Sequence, residues 1–234
     1  MPSLIILSGP NGSGKSTMYN ALIEKVPSFK EIPFINPDEV AKELHGSYIV
    51  GSSTEDNNLM LQAGREAVKR RKALLSEGIS FGFETTLSGN SEIRLIKEAH
   101  LLGYSVNLIF IGLVNPNFNV MRVAMRVAAG GHSVDSEMIV RRYQRSMDNA
   151  IKVFPFVKRF YVFDNSTMHM EIVASSKTTF VKDRALRGVR IYKESNKNWY
   201  ANIISHLKEK HEEDTSVDIK YCLAKTRQRL GRVK

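Results

Sequence analysis

Gly9, Gly14, Lys15 and Ser16 stand in the spacing G-x-x-x-x-G-K-S. Pro10, Asn11, Gly12 and Ser13 fill the interval. Small residues there let the backbone curl until successive N–H groups converge on phosphate oxygens at the start of a helix. In such a loop Lys15 reaches the β- and γ-phosphates and the Ser16 hydroxyl holds Mg²⁺, with Thr17 closing the run. The apolar run Leu4 to Leu7 just before it suits a strand buried on both faces of a parallel sheet. From Thr17 onward Met18, Ala21, Leu22 and Val26 recur at helical spacing. Strand, glycine-rich loop, then helix is what separates a phosphate-binding loop from a glycine-rich surface turn. The chemistry implied is the binding of a nucleoside triphosphate.

A phosphate loop alone leaves kinase, GTPase, motor and transport ATPase open. Phosphoryl transfer is mostly positioning and charge stabilisation, so the acids and arginines that converge on the loop decide among them. In an open α/β sheet, ligands gather at the carboxyl ends of the strands, where three acids fall. Asp38 follows the second strand and could take the proton of an attacking hydroxyl. Equally, Asn36-Pro37-Asp38-Glu39 is a well-built helix start. Glu84, followed by Thr85 and Thr86, ends the third strand; it could bind acceptor hydroxyls, orient the metal's water, or simply bond local backbone. Asp164 ends the fifth strand in imitation of a metal-binding segment, although Asp164-Asn165-Ser166 reads better as a turn, near the base of the nucleotide. Arg122 and Arg126 lie four apart before Gly130-Gly131-His132, and Arg141, Arg142 and Arg145 follow on the next helix. Two such helices on a glycine hinge describe a lid over a triphosphate, against the alternative of two solvated basic faces. Arginine suits bidentate phosphate contacts, and one such contact is worth on the order of 10³–10⁵ in rate. His132 reads as a loop histidine.

The elements that position these residues follow from periodicity and punctuation. Ile32 to Ile35 is a short second strand. A polar loop at 51–56 leads into a helix from about Asn57 to Ser76, buried along Leu61, Ala67, Val68, Leu74 and Leu75, with Arg65, Lys69, Arg70 and Lys72 solvated. Strands are expected at 79–83, 106–111, 160–163 and 170–173, and helices at 91–102, from Asn115 to the Gly130 region, and from Ser136 to about Val153. The helix opened by Asn115 turns Val120, Val123, Ala124 and Val127 inward. Alternating strand and helix predicts an α/β fold of the P-loop hydrolase and kinase type, a mainly parallel sheet with helices on both faces. The division expected is a kinase-type domain over 1–180 and a basic, helical extension over 181–234, with helices at 199–210 and 217–230.

Composition narrows the class. With 42% hydrophobic and 25% charged residues in 234, the chain can bury a core. No apolar run approaches the roughly 18 residues of a membrane helix, and no cleavable signal is expected before the first strand. Cys222 stands alone, which excludes an internal disulfide and fits a cytoplasmic home. Of the net charge of +10, the segment 182–234 carries 14 Lys and Arg against 7 Asp and Glu.

In order and spacing, segments 9–17, 34–39 (Phe-Ile-Asn-Pro-Asp-Glu), 83–89 (Phe-Glu-Thr-Thr-Leu-Ser-Gly), 122–132 with 141–146, and 163–166 resemble the zeta-toxin-like P-loop kinases. The likeness covers most of 1–175. It implies ATP and Mg²⁺ held by Lys15 and Ser16, Asp38 as base, Glu84 with Thr85 on the acceptor, and lid arginines, Arg126 and Arg142 foremost, on the moving phosphate. It further implies a nucleotide-sugar acceptor such as UDP-N-acetylglucosamine, a toxin's role and an antitoxin partner. Two features depart from the better-studied toxins: the Gly-Gly-His segment resembles the shorter subgroup, whose lid arginines, drawn from Arg122, Arg126, Arg141, Arg142 and Arg145, do not align one-to-one with theirs, and Asp135 stands where that subgroup often has proline. An alternative class is an ATP-dependent nucleic-acid-associated protein, its basic tail on phosphates and Trp199, Tyr200 and Tyr221 stacked on bases.

Overall fold

In the computed structural model, residues 1–46, 49, 53–181, 184–193 and 198–212 are described. The strands are β1 (Ser3–Ser8), β2 (Phe34–Ile35), β3 (Phe81–Thr85), β4 (Ser105–Gly112), β5 (Arg159–Asp164), β6 (Glu171–Val181) and β7 (Arg184–Ile191). The helices are α1 (Lys15–Lys25), α2 (Pro37–His45), α3 (Thr54–Ser76), α4 (Asn90–Leu101), α5 (Pro116–Ala128), α6 (Ser136–Val153) and α7 (Ala201–Glu212). They build one sheet of seven strands in the order β2-β3-β1-β4-β5-β6-β7. β2 to β5 pair in parallel around β1, whereas β6 and β7 add an antiparallel edge. This is the α/β architecture the alternation predicts. β1 lies between β3 and β4, so the loop after it opens between two neighbouring strand ends. Leu4, Ile6, Phe81, Phe83, Val106, Leu108 and Phe110 are fully buried, as strands covered on both faces require.

Several boundaries differ from the sequence expectations for local reasons. α3 begins at Thr54 rather than near Asn57, because Ser53 Oγ accepts from Asp56 N at 3.0 Å and the Asp56 carboxylate accepts from Ser53 N at 3.0 Å. This reciprocal capping box satisfies two free helix donors. Its buried line is Ala63, Ala67, Arg71 and Leu75, whereas Leu61 is 54% exposed. On α5 the buried residues are Val123 and Asn119, and Ala124 faces outward. β3 starts at Phe81, past Ile79, whose carbonyl accepts from the Tyr104 hydroxyl at 3.0 Å.

The largest correction concerns the C-terminal part. The expected division at 180 falls inside the β6–β7 ladder, where Phe180 pairs with Ala185. Segment 184–191 is a strand and not the start of a helical extension. Pairing with β6 satisfies the backbone groups on that side of the strand and packs Val189 and Ile191 against the core, a gain visible only once β6 is in place. α7 then returns Tyr200, Ile203, Ile204 and Leu207 to the same core. The expected helix at 217–230, with Tyr221 and Cys222, lies outside the described residues. Among the described residues, no helix is long and apolar enough to cross a membrane.

Candidate active site

The phosphate loop leaves β1 at Ser8 and enters α1 at Lys15. Gly9 has φ +145, and a Cβ there would sit 2.0 Å from the Ile111 carbonyl oxygen. Gly14, the residue before α1, has φ +99, and a Cβ there would meet Asn165 Nδ2 at 2.4 Å. Both positions require glycine sterically. Three bonds fix the loop from outside: Gly9 N donates to Thr85 O at 3.3 Å, Asn119 Nδ2 to Asn11 O at 2.5 Å, and Asn165 Nδ2 to Ser13 O at 2.9 Å. Lys15 curls over the loop and donates to the carbonyls of Gly9 and Pro10 at 3.0 and 3.1 Å. Ser13 Oγ and Asn11 Oδ1 are buried without a hydrogen-bond partner among the described residues. Unused polar atoms inside a glycine-walled loop fit a phosphate-bearing ligand.

Glu84 gathers the loop and the neighbouring strand ends. Its carboxylate lies 3.7 Å from Lys15 Nζ, accepts from Ser16 Oγ at 3.5 Å and from Asn36 Nδ2 at 3.4 Å. Burial pushes the Lys15 ammonium below the ordinary 10.5; Glu84 and then Asp38 oppose that, and Arg126 adds to it. Asp38 and Arg126 are therefore both electrostatically coupled to Lys15. The helix-start role that competes for Asp38 falls to Asn36, whose side chain accepts from Asp38 N at 2.9 Å, with Pro37 in the first turn of α2. The Asp38 carboxylate has no hydrogen-bond or ion-pair partner among the described residues and is left facing solvent in part. Thr85 is 8% exposed and its hydroxyl accepts from Leu87 N at 2.9 Å, so it shapes the turn after β3. The Ser16 hydroxyl beside the Glu84 carboxylate is an oxygen donor set suited to Mg²⁺. No cluster of three His, Cys, Asp or Glu that could hold a metal occurs among the described residues. A divalent ion here would thus lean on Ser16, phosphate oxygens and water, as Mg²⁺ does.

The arginines divide by neighbourhood. Arg122 Nη2 donates to Asn165 O at 2.7 Å, joining α5 to the turn after β5. Arg126 is exposed, and its Nη2 donates to His132 O at 2.7 Å across the glycine turn. His132 Nδ1 lies 3.0 Å from Ile49 O, so this turn reaches the segment after α2. Arg142 is half-buried; burial and then Arg141 lower its pKa, and Glu92 at the start of α4 opposes. It thus belongs to the side of the loop after β3. Arg141 and Arg145 are exposed. Asp164 is the turn residue its sequence implies, accepting from Ser166 N at 3.0 Å, from the Ser166 hydroxyl and from Trp199 Nε1 at 3.1 Å.

Of the aromatic residues expected as base platforms, Trp199 and Tyr200 pack within the fold, and Tyr221 lies outside the described residues. Tyr200 is fully buried, and Trp199 covers Gly112 and tilts against Phe110 at 6.0 Å. Reading the sequence missed the residues that hold the site from behind. Asn119 is one, legible in retrospect as a polar residue on the Val123 side of α5. Ser146 and Asn149 of α6 are others, bonding Thr86 O and, at 2.9 Å, Leu87 O. Leu87 itself adopts a left-handed φ of 56, which no leucine signals in advance.

Compared with known protein families, residues 1–202 match the zeta toxin family. The chain belongs to that family. Its fold is the nucleotide-binding α/β fold of a P-loop kinase. An uncharacterized protein of Haemophilus influenzae is 31% identical over 141 residues, 59% of this chain and 91% of that protein. A crystal structure of the AvrRxo1-ORF1:-ORF2 complex in its native form superposes over 89% of this chain and 70% of that one, with TM-score 0.60 and 18% identity. The same pair solved with ATP gives TM-score 0.58 and 20% identity over 75% of this chain, which spans 58% of that chain's length. At such identities the likeness is one of fold.

Proposed function

We propose that this zeta-toxin family member is a kinase that moves the γ-phosphate of ATP to a hydroxyl of a small metabolite. The acceptor class we infer is a nucleotide-sugar such as UDP-N-acetylglucosamine, and the role that of the toxin in a cytoplasmic toxin–antitoxin pair. The observation that carries this reading is the junction of Lys15, Ser16, Asn36 and Glu84, with Asp38 coupled to Lys15 at the next helix start. Two acids near one phosphate loop support transfer because one can hold an acceptor hydroxyl while the other takes its proton.

In this mechanism the loop N–H groups and Lys15 hold the β- and γ-phosphates. Mg²⁺, held by Ser16, supplies neutralisation of the charge on the phosphate oxygens when bound. Glu84 orients the acceptor, and Thr85 contributes through the turn it fixes. Asp38 takes the proton as the acceptor oxygen bonds to the γ-phosphorus and the bond to the bridging oxygen of ADP breaks. Arg126 closes from the lid and Arg142 from the α6 side, each offering planar donors to the transferring group. An antitoxin would act by covering the nucleotide site.

The test is incubation with γ-labelled ATP, Mg²⁺ and a metabolite extract, followed by mass identification of labelled products. A phosphorylated small molecule is expected, lost in Lys15→Ala and Asp38→Ala, with Asp38→Ala still binding ATP. Free phosphate as the sole labelled product would refute transfer, and full activity in Asp38→Ala would remove the base.

A further inference from the structure

Arg71, in the middle of the buried line of α3, is 5% exposed. Its guanidinium lies 4.4 Å from the centroid of the Phe83 ring, and Nη2 donates to the Glu84 carbonyl at 3.3 Å. Nε is buried and has no hydrogen-bond partner among the described residues. Among the described residues no ion pair within 4.0 Å involves Arg71. Burial pushes this guanidinium from 12.5 down to about 10, with only Glu92 opposing. A cation taken out of water without a carboxylate is costly, and its retention calls for an anion.

The space for one is present. Arg71 lines a cleft of about 290 Å³ between α3 and α4, together with Lys72, Arg94, Ser91, Glu92 and Glu98. The nearer acid is occupied elsewhere. Ser91 Oγ donates to Glu92 Oε2 at 2.8 Å, and the same oxygen lies 2.7 Å from where a Cβ on Gly89 would sit. Glu92 is thus folded over the start of α4, where an acid in the first turn serves the free helix N–H groups. Glu98, Lys72 and Arg94 are exposed. Successive side chains of a strand point to opposite faces, so a cleft on the Phe83 side of β3 is separate from the Glu84 carboxylate. Arg71 touches the end of β3 through its bond to the Glu84 carbonyl, and Glu92 of the cleft also acts electrostatically on Arg142.

We propose that the cleft between α3 and α4 is an anion subsite, in which buried Arg71, with Lys72 and Arg94 at its mouth, receives a phosphate or carboxylate group of a small ligand. Two sources share this chemistry: a phosphate on the acceptor itself, or a separate anionic metabolite that adjusts the end of β3. The first source rests on the transferase reading above; the binding site does not.

The probe is inorganic phosphate, added to protein already saturated with Mg²⁺ and a non-hydrolysable ATP analogue so that the phosphate loop is filled. Calorimetry should show a further saturable binding event. Lys72→Ala with Arg94→Ala, both surface changes, should weaken it at least about tenfold, and Arg71→Gln should abolish it. Should Arg71→Gln fail to fold, the double variant decides. No binding to the nucleotide-saturated wild type, or equal binding to the double variant, overturns the subsite. In a transfer assay, phosphate that raises the acceptor KM identifies the acceptor as the source; a changed kcat at constant KM identifies a separate effector. Because binding is read without turnover, failure of the kinase reading leaves this result interpretable.

Discussion

Glu84→Gln isolates one charge at the centre of the site. Lys15 and Glu84 are 7% and 15% exposed and 3.7 Å apart. At that distance two unit charges attract by about 4 kcal/mol at an effective dielectric near 20. Asp38 and the carbonyls of Gly9 and Pro10 still face Lys15 in the variant, so the net loss expected is roughly 2–3 kcal/mol, below the full penalty of an unpaired buried charge. For a chain of this size that lowers Tm by roughly 5–10 °C. The pH dependence gives a second handle. Lys15 already titrates below 10.5 in the folded chain, because burial outweighs Glu84 and Asp38. Between the folded value and 10.5 the unfolded chain binds more protons, so stability rises with pH across that window. Removing Glu84's charge lowers the folded value further and extends the window toward neutral pH. The gap in Tm between wild type and variant should therefore narrow as pH rises from about 7 to about 10. ATP restores negative charge to Lys15 and should raise the variant's Tm more than the wild type's. Thermal melts followed by circular dichroism measure all three. A gap under about 1 °C, or one constant with pH, would show that Glu84 does not offset the Lys15 charge.

Gly9→Ala drives a Cβ to 2.0 Å from the Ile111 carbonyl at φ +145, so it should lose about 2 kcal/mol or more and abolish binding of a fluorescent ATP analogue; retained affinity would mean the loop is slack. Asn119→Leu removes the donor to Asn11 O, and leaving that carbonyl unpaired should cost about 1–3 kcal/mol in urea unfolding and raise the KM for ATP. Tyr143 donates to Leu113 O at 2.7 Å, and burial, then Asp164, pushes its hydroxyl from 10 up to about 12. A raised folded value means stability lost as pH climbs from 10 to about 12, roughly 1–2 kcal/mol once solvent screening is allowed for. Tyr143→Phe should start about 1 kcal/mol weaker at neutral pH and then fail to show that alkaline loss, a crossing that melts at stepped pH can detect.

The phosphate loop, its strand and its helix were legible in the chain because they are consecutive: local spacing sets backbone curvature and burial together. The same holds for the Asn36 and Asn115 helix starts, where a cap and a following proline act within one turn. The strand order could be expected only as a class, since which strand flanks β1 depends on how distant hydrophobic faces pair. Residues 184–191 show the limit clearly. Their strand state comes from hydrogen bonds and burial that β6 provides, and no local propensity announces it. Within the site, residue types named Lys15, Asp38 and Glu84, but distance alone separates roles. Asn36 took the capping duty from Asp38, Thr85 turned its hydroxyl into the loop, and Arg142 went to the α4 side. Arg71 is the sharpest case: the expected buried line of Leu61, Ala67, Val68, Leu74 and Leu75 left it out, and only the packed helices show a buried cation with no ion pair among the described residues. Sequence fixes what each residue can do locally; the tertiary fold decides which partners remain to it, because desolvation and pairing are set by neighbours far along the chain.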